Sequence, residues 1–459
     1  MRKKLMNRRD FLKAAGLTVV GSTLAACGAP APTTAPAAAP TSAPAAPATT
    51  VPTAPPAAAE KISLRFASWD SSSGQDVYNS IVGEFNKKYP NISVSVEFTP
   101  DNYDNKILTG LAGGSAPDVY MWWDYPSLMA KKGILDLTPY IKLPGDQGLD
   151  VTQYYPQIID YSTIKGILVG TPNAFTPRAI FYNKKLFSAA GLSEPTDSWT
   201  WDDFLSAAQK LTTGTGTDKV YGIYSDPSSY WMQGYIWSHG GDLISADGTK
   251  ASGTMDSQAT IEAVQWVADL VTKYQVSPSA DTQTTLGGAG QMFLSGKLAM
   301  MDNGRWPQTD LMKAKDLQFG LVLPPTDPST KKLVSVLHTS AFCVSPQTKY
   351  KDQSWALAKY LGGPVGNKLF GQAGWAVPCL PSVVKELGWD TDPIEKVWIE
   401  AIPYATVMPC FQRTTAWSEA DTEIANTLQA IWLGKETVED GLSATAKKVD
   451  TILAQAPSL

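Results

Sequence analysis

KISLRFASWDSSSGQDVYNSIVGEFNKKYPNISVSVEF, residues 61–98, contains a strand pattern, a helix pattern and a second strand pattern in immediate succession. The middle segment ends at Pro90 and places five apolar residues on one helical face, namely Val77, Ile81, Val82, Phe85 and Tyr89. The last segment alternates as a half-buried strand does, with Ile92, Val94, Val96 and Phe98 on one side. This order predicts an α/β fold with a mainly parallel sheet, helices on both faces, and ligands at the carboxyl ends of the strands.

The same alternation continues along the chain. DNYDNKILTGLAGG predicts a helix, APDVYMWW a strand, and SQATIEAVQWVADLVTKYQ a long amphipathic helix. FGLVLPPTDP predicts a strand of one lobe and LVSVLHTSAFCVSP strands of the other. The body from Glu60 to Leu459, about 400 residues, exceeds what one hydrophobic core usually serves. We therefore expect two lobes.

The composition excludes several classes of function. A formal net charge of −5 argues against nucleic acid, because phosphate binding needs a clustered basic surface. The chain has 2 histidines, so a multi-histidine zinc site is excluded, and neither His239 nor His338 lies in a catalytic motif. The glycines of LGGAGQMF lack the Lys and Ser or Thr of a phosphate loop. We expect no catalytic residues, no metal and no cofactor.

The amino terminus has the pattern of an export signal with a lipidation site. Residues 1–27 begin with basic residues and continue with an apolar run of roughly 14 residues, too short to span a membrane. RRDFLK resembles a twin-arginine signal, and LAAC, ending at Cys27, resembles a lipobox, which implies that Cys27 carries the lipid. The alternative is an ordinary signal with an incidental cysteine. Residues 28–60 are almost wholly Ala, Pro and Thr and predict a disordered, extended linker.

Three cysteines remain in the body, at positions 343, 379 and 410. An odd number cannot all pair with one another, so a disulfide framework is not expected. Cys379 with Cys410 is the most plausible pair, whereas Cys343 in SAFCVS is expected to be a buried strand residue.

Tryptophan is abundant, at 15 residues, and stands beside glycine, arginine or acidic residues in ASWD, YMWWDYP, SSYWMQGYIWSHGG, MDNGRWPQ, QAGWAVP and TTAWSEAD. A sugar ring has apolar C–H faces and a rim of hydroxyls. Its binding therefore calls for flat aromatic rings with charged or amide groups nearby. By contrast, Trp199 and Trp201 flank Thr200, which has capping-box spacing to Asp203, and are expected to pack at a helix start.

Several stretches, in the same order, resemble the family 1 extracellular solute-binding proteins, the maltose-binding-like receptors of ABC sugar importers. They are GGSAPDVYMWWDYPSLMAKKGILDLTPYI, TPRAIFYNKKLF, SWTWDDFLSAAQKL, WSHGGDLISADG, FLSGKLAMMDNGRWP, FGLVLPP and ALAKYLGGPVGNKLF. The resemblance implies a two-lobed periplasmic-binding-protein fold, a Venus flytrap with hinge segments. We expect an amino-terminal lobe of residues 61–170 with 326–375 and a carboxy-terminal lobe of residues 171–325 with 376–459.

The resemblance also implies a set of ligand-binding residues in the cleft. On the amino-terminal lobe they are Trp69, Asp70, Trp122, Trp123 and Asp124. On the other side they are Tyr230, Trp231, His239, Arg305, Trp306, Trp375 and Trp417. Trp237 is expected to be a core residue.

The expected function is capture of a neutral mono- or oligosaccharide and its delivery to the permease of an ABC transporter. Other members of the resembled family take polyols or phosphate esters, but these motifs carry little basic clustering. The expected protein is a monomer that binds no nucleic acid and is tethered through Cys27 to the outer face of the cell membrane. Two alternatives are a secreted carbohydrate-active hydrolase with paired carboxylates and a structural or adhesive lipoprotein.

Overall fold

The computed structural model describes residues 60–70, 72–374 and 376–458. The predicted signal, Cys27, most of the linker and Trp375 lie outside the described residues. Within the described part of the chain, no helix is long and apolar enough to cross a membrane.

The described residues form twelve strands. They are β1 (Ile62–Ser68), β2 (Ile92–Phe98), β3 (Val119–Trp122), β4 (Thr163–Ile164), β5 (Ile167–Leu168), β6 (Thr171–Thr176), β7 (Ala179–Asn183), β8 (Tyr221–Tyr224), β9 (Leu298–Asn303), β10 (Phe319–Val322), β11 (Ser335–Val344) and β12 (Ala405–Val407).

The α-helices within these bounds are α1 (Ser72–Lys88), α2 (Tyr103–Ala112), α3 (Tyr125–Ala130), α4 (Thr138–Ile141), α5 (Pro156–Tyr161), α6 (Lys184–Ala189), α7 (Trp201–Leu211), α8 (Ser229–Ser238), α9 (Gln258–Thr272), α10 (Ala280–Thr285), α11 (Gly288–Leu294), α12 (Gln308–Lys313), α13 (Lys351–Gly362), α14 (Pro364–Ala373), α15 (Pro381–Glu386), α16 (Glu395–Glu400), α17 (Trp417–Trp432) and α18 (Val438–Ala454). Short 3₁₀ turns cover Gly145–Gln147, Val151–Gln153, Gly216–Asp218, Ile402–Tyr404 and Pro409–Phe411.

The first two strands of the sequence, β1 and β2, lie at one edge of a six-stranded sheet, and α1 connects them. The order of this sheet is β12-β11-β3-β1-β2, with β6 also paired to β11. β1 runs parallel to β2, starting at the pair Ile62 and Ile92, and parallel to β3. The apolar stripe of α1 is buried at Ile81 and Phe85, as its helical spacing predicts.

The sheet is mixed: three of its five strand pairings are parallel, as the sequence predicts for a mainly parallel sheet, and the two antiparallel pairings both involve β11. β11 runs antiparallel to both β3 and β6. The segment LVSVLHTSAFCVSP forms this one long strand, where several strands were expected. β11 returns from the second sheet and therefore enters the first sheet in the direction opposite to β3.

A second, four-stranded sheet has the order β10-β7-β9-β8. The chain crosses between the two sheets after β6, at Pro177 and Arg178, and again between β10 and β11. The two crossings are joined, because the backbone N–H of Arg178 donates to Ser335 Oγ at 2.8 Å and Ser335 Oγ donates to the Arg178 carbonyl at 2.9 Å. Arg178 also forms a buried ion pair with Asp302 of β9, with Nε to Oδ1 at 2.8 Å.

The strand pairing differs from the expected lobe limits at two places. Residues 171–325 and 376–459 were assigned to the carboxy-terminal lobe, yet β6 and β12 both pair with β11 in the first sheet. Local sequence could not show this, because both strands reach the first sheet through pairing with a distant segment. The other lobe limits stay predictions.

Two further expectations concern side chains. Thr200 and Asp203 form the predicted capping box, and both Trp199 and Trp201 are buried at the start of α7, which confirms their packing role. Cys343 is buried in β11 as predicted, but Cys379 and Cys410 are free thiols, so no bridge joins the expected pair. Both thiols lie in the apolar core, where burial raises the thiol pKa and a small apolar side chain packs well.

Candidate functional site

A cavity of about 310 Å³ lies between the end of β1, the crossing strands β6 and β11, and the segment after β9. We call it the central cavity. Its lining residues are Trp69, Asp70, Tyr78, Met121, Asn173, Ala174, Phe175, Thr176, Trp306, His338, Thr339, Ser340, Phe370 and Ala376. Residues that follow strands of both sheets therefore meet in one cavity of the size usual for small-molecule sites.

Trp69 and Asp70 directly follow β1, at the carboxyl end where the sequence predicts a ligand. The Trp69 ring meets Tyr103 edge-on at 5.4 Å, and the Tyr103 hydroxyl donates to the Met121 carbonyl at 2.9 Å. Ser68 Oγ donates to Asp70 Oδ2 at 2.6 Å. Burial raises the pKa of the Asp70 carboxyl, although the Ser68 bond acts in the opposite direction. The structure thus provides one aromatic ring and one carboxyl group on this wall.

Trp306 lies opposite, in the turn after β9, and its side chain stays 43% exposed. The ring folds back over Gly304, where a Cβ atom would lie 2.1 Å from Trp306 Cζ3. Glycine at position 304 is therefore what lets the ring lie against the backbone. A large aromatic ring exposed into a cavity is suited to cover the apolar face of a ligand.

A second cavity of about 280 Å³, the flanking cavity, shares His338 and Thr339 with the central one. It is lined by Trp123, Ser229, Tyr230, His338, Thr339, Met408, Cys410, Phe411, Trp417 and Asp421. The Tyr230 ring stacks on the His338 ring with 3.7 Å between centroids. Burial raises the pKa of Asp421, which accepts a hydrogen bond from Ser229 Oγ.

Trp123 also lines a larger, outer cavity of about 640 Å³. Trp122, Asp124, Asp104 and Glu419 belong to the same outer cavity. Asp124 caps α3 by accepting from Ser127 N, and burial raises its pKa to about 6. Trp122 is 2% exposed, and its indole N–H donates to the Asp124 carbonyl. Trp122 is therefore mostly a core residue at the edge of this cavity.

Two polar atoms of the central cavity have no hydrogen-bond partner among the described residues: Asn173 Oδ1 and His338 Nε2. Asn173 is buried, and its amide nitrogen donates to Ser340 Oγ at 3.1 Å. Buried polar atoms are nearly always paired in proteins. Unpaired atoms on residues that line a cavity are therefore candidates for pairing with a polar ligand or with water.

The structure does not bring Arg305 into the cavities. Its guanidinium lies 4.3 Å above the Trp389 ring and forms a buried ion pair with Glu395, with Nε to Oε2 at 2.9 Å. A third nitrogen, Nη1, donates to the Gly374 carbonyl, which also accepts from Thr309 Oγ1 at 2.7 Å. Arg305 thus fixes the backbone beside the cavity and uses all three guanidinium nitrogens to do so.

Trp231 and His239 also lie outside the three cavities. Trp231 is buried and stacks on Tyr235, one turn further along α8. His239 stacks on Trp201, and its Nδ1 and Nε2 atoms lie 2.6 Å from Asp327 and 3.0 Å from Glu262. Burial of the ring disfavours its charge, but these two bonds outweigh burial and raise the pKa of His239.

Of the twelve predicted ligand-binding residues, the structure brings Trp69, Asp70 and Trp306 to the central cavity and Trp123, Tyr230 and Trp417 to the flanking one. Sequence reasoning missed Asn173, His338, Ser340 and Asp421. The first three lie on the crossing strands β6 and β11, for which no local motif indicates a site. Among the described residues, no group of three or more His, Cys, Asp or Glu could hold a metal ion.

Comparison with known proteins identifies the fold and the family. The structure of an ABC substrate-binding protein from Listeria monocytogenes in complex with cycloalternan superposes with a TM-score of 0.75 at 23% identity, over 85% of this chain and 99% of that one. A solute-binding protein from Thermotoga lettingae bound with α-D-tagatose gives a TM-score of 0.72 at 26% identity, over 85% and 100%. These matches confirm the two-lobed periplasmic-binding-protein fold.

Sequence comparison agrees. A maltotriose-binding protein of Pyrococcus abyssi is 25% identical over 344 residues, which are 72% of this chain and 70% of that protein. The sequence model described as bacterial extracellular solute-binding protein matches residues 80–397, more than half of the chain. The expected resemblance to solute-binding proteins is therefore confirmed, and the chain belongs to the bacterial extracellular solute-binding proteins.

Proposed function

We propose that this protein captures a neutral mono- or oligosaccharide in the central cavity and delivers it to the permease of an ABC transporter. As a member of an extracellular family, the protein acts outside the cytoplasm. The observation that carries the choice of ligand is the composition of the central cavity: aromatic rings at Trp69 and Trp306, with unpaired polar atoms on Asn173 and His338 between them. A sugar offers apolar ring faces and hydroxyls to this set.

Charge favours a neutral ligand over a phosphate ester. Among the described residues that line the central and flanking cavities, none is a lysine or an arginine. The nearby Arg178 is held by Asp302 through its Nε atom at 2.8 Å. A phosphate group would need charged donors that these walls do not supply. The two similar structures hold the neutral sugars cycloalternan and α-D-tagatose, whereas a relative from Brucella abortus is an sn-glycerol-3-phosphate-binding protein, so charge is the criterion that separates the two classes of ligand.

Binding without turnover is part of the proposal. The central cavity is lined by one carboxyl group, Asp70, and the flanking cavity by one, Asp421, among the described residues. Glycosidases need two carboxyl groups facing one bond, about 5 to 9.5 Å apart. We therefore expect sugars to be recovered unchanged after incubation with the protein, and chromatography that reveals hydrolysis products would overturn this point.

The test of ligand class is a binding panel with the domain from residue 60 onwards. Titration calorimetry with maltotriose, cycloalternan and tagatose should give saturable heat for at least one sugar, and sn-glycerol 3-phosphate should give none. A sugar at 100 times its dissociation constant should also stabilise the fold by about 2.7 kcal/mol. No heat with any sugar, or strong binding of the phosphate ester alone, would refute the proposal.

Closure and tethering complete the proposed mechanism. Trp69 follows the first sheet and Trp306 follows the second, so one ligand contacts both when the lobes close on it. Small-angle scattering should show a smaller radius of gyration with bound sugar.

A lipid on Cys27 would keep the monomeric protein near its permease and raise its effective concentration there. Expressed in a bacterium, the full chain should be found in the membrane fraction, and the Cys27→Ala variant should be released.

A further inference from the structure

His338 and its neighbour Thr339 line both the central cavity and the flanking cavity. His338 lies on the crossing strand β11, where it pairs with Thr176 of β6, the other crossing strand. A ligand that filled both cavities would therefore lie against these two residues. Nothing in the sequence marks the position, because LHTS has no motif of a binding site.

The ring is fixed in orientation by two aromatic residues. Tyr230 stacks on it at 3.7 Å with an interplanar angle of 28°, and Trp306 meets it edge-on at 5.7 Å and 69°. Tyr230 belongs to α8 and Trp306 to the turn after β9, whereas His338 belongs to the first sheet. The histidine is therefore contacted by side chains from the opposite side of the cleft.

The Nε2 atom of this fixed ring is buried and has no partner among the described residues. An unpaired buried polar atom is unfavourable, and His338 differs from residues with unpaired atoms in the core, such as Trp201, because its side chain lines the two cavities. Asn173 Oδ1, on β6, is the second unpaired atom of the same cavity. The two atoms lie on adjacent crossing strands and are therefore suited to bind one polar ligand together.

We propose that His338 is a ligand-binding and specificity-determining residue: its uncharged ring pairs through Nε2 with a hydroxyl group of the sugar, while Asn173 Oδ1 accepts from another. The inference rests on the proposed sugar-binding function. It adds that the crossing strands, and not the aromatic walls alone, select for hydroxyl groups. A ligand without a hydroxyl at this point would leave Nε2 buried and unpaired, which is a strong basis for discrimination.

The surroundings keep the ring uncharged. Burial is the main cause, and the charge of Arg178 adds to it, so that the pKa of His338 is lowered well below its ordinary value. The other titratable groups that line the two cavities are Asp70, Tyr78, Tyr230, Cys410 and Asp421. Burial raises the pKa of both Asp70 and Asp421, which weakens any tendency of these carboxyl groups to charge the ring. A neutral imidazole either donates or accepts at Nε2, according to its tautomer.

The chain offers an internal control, because it contains 2 histidines and the second, His239, lies outside the cavities. Nitrogen-15 labelling of histidine therefore gives two ring systems in an NMR spectrum. They can be assigned by pH titration, since the pKa of His239 is raised and the pKa of His338 is lowered. On saturation with maltotriose, or with whichever sugar of the panel gives calorimetric heat, the His338 ring nitrogens should shift and those of His239 should not.

Three variants separate a binding role from a packing role. His338→Phe keeps an aromatic ring against Tyr230 but removes Nε2; we expect at least tenfold weaker sugar binding and no loss of melting temperature. His338→Gln restores an amide at that position and should recover part of the affinity. His239→Gln is the matched control and should bind sugar as the wild type does.

Two results would show that His338 does not bind the sugar. The first is sugar binding by calorimetry without any change in the chemical shifts of the His338 ring nitrogens. The second is a sugar affinity of His338→Phe equal to that of the wild type. If that variant does not fold, the NMR measurement on the wild-type protein still decides. No binding of any sugar by the wild type would overturn the proposed function and this inference with it.

Discussion

Arg305 and Trp306 are neighbours in sequence, but the structure gives them different roles that one pair of substitutions separates. The Arg305 side chain is 3% exposed and forms an ion pair with Glu395, whose side chain is 10% exposed. Arg305→Met would leave the Glu395 carboxylate buried, with the amide of Gln308 as its remaining donor at 2.9 Å. Breaking a buried ion pair from one side costs about 3–5 kcal/mol. We expect the free energy of unfolding to fall by that amount.

The unpaired charge of the Glu395 carboxylate, more than the lost contact, lowers the free energy of unfolding in Arg305→Met. Glu395→Gln in the Arg305→Met background removes the charge and keeps an amide near Gln308, so more than half of the lost stability should return. Trp306→Ala is the matched control. Because Trp306 is 43% exposed and leaves no unpaired charge behind, its loss should lower stability less than Arg305→Met does. It should weaken sugar binding at least tenfold, about 1.4 kcal/mol.

The assay is urea unfolding followed by tryptophan fluorescence, with calorimetric titration of sugar on each folded variant. Wild-type stability of Arg305→Met, or a double variant no more stable than the single one, would refute the ion-pair argument. Wild-type affinity of Trp306→Ala would show that this ring does not contact the ligand. Any effect of Arg305→Met on affinity should be smaller than that of Trp306→Ala, because the substitution keeps the backbone bond from Arg305 to Thr176 and removes only the side-chain bond to the Gly374 carbonyl beside the site.

Three further substitutions test the charges and packing around the site. Asp124→Asn keeps a good helix cap. Because burial raises the pKa of Asp124 from 3.8 to about 6, the wild-type protein should lose stability as the pH rises from 3.8 through 6, and the variant should not. In urea unfolding at pH 7 the variant should therefore be more stable than the wild type by up to roughly 3 kcal/mol. His239→Gln should destabilise most below about pH 6.5 and progressively less above it, because the raised pKa of His239 gives stability that is lost as the ring deprotonates; equal losses at pH 5.5 and 8.5 would contradict this. Trp201→Ala should cost about 3–5 kcal/mol with unchanged sugar affinity, since Trp201 is 3% exposed and packs 4.4 Å from Trp266; weakened binding would place it in the site instead.

The parts of the site that were predictable from sequence follow strands. Trp69 and Asp70 come directly after β1, and Trp306 comes shortly after β9. Ligands of α/β folds bind at the carboxyl ends of strands, so an aromatic residue at such an end is a reasonable candidate. The same reasoning failed at Arg305, because the side chain next to an exposed ring points into the core and meets Glu395, 90 residues away in sequence.

Helix geometry explains the failure at Trp231. Consecutive residues on an α-helix point about 100° apart. Tyr230 lines the flanking cavity, so Trp231 turns away from it and stacks on Tyr235 at a ring distance of 4.9 Å. Which of two adjacent aromatic residues faces a ligand depends on how α8 packs, and the helix has apolar residues on most sides. The sequence pattern therefore predicts an aromatic residue at this place but not which one.

Asn173 and His338 could not be predicted because their neighbours are distant in sequence. All six residues of β6 are buried, so the strand has no solvent-facing side that would produce an alternating pattern. Its partner β11 lies more than 150 residues away, and the pairing carries both residues to the cavity wall. Other polar groups on these strands pair across them, as Asn173 Nδ2 does with Ser340 Oγ and Thr339 Oγ1 does with the Ala174 carbonyl, but Asn173 Oδ1 and His338 Nε2 have no partner among the described residues. The unpaired atoms on these two strands are therefore a feature that the folded structure reveals and the local sequence does not. The aromatic rings supply contact area, whereas Asn173 and His338 supply the atoms that a hydroxyl group must satisfy.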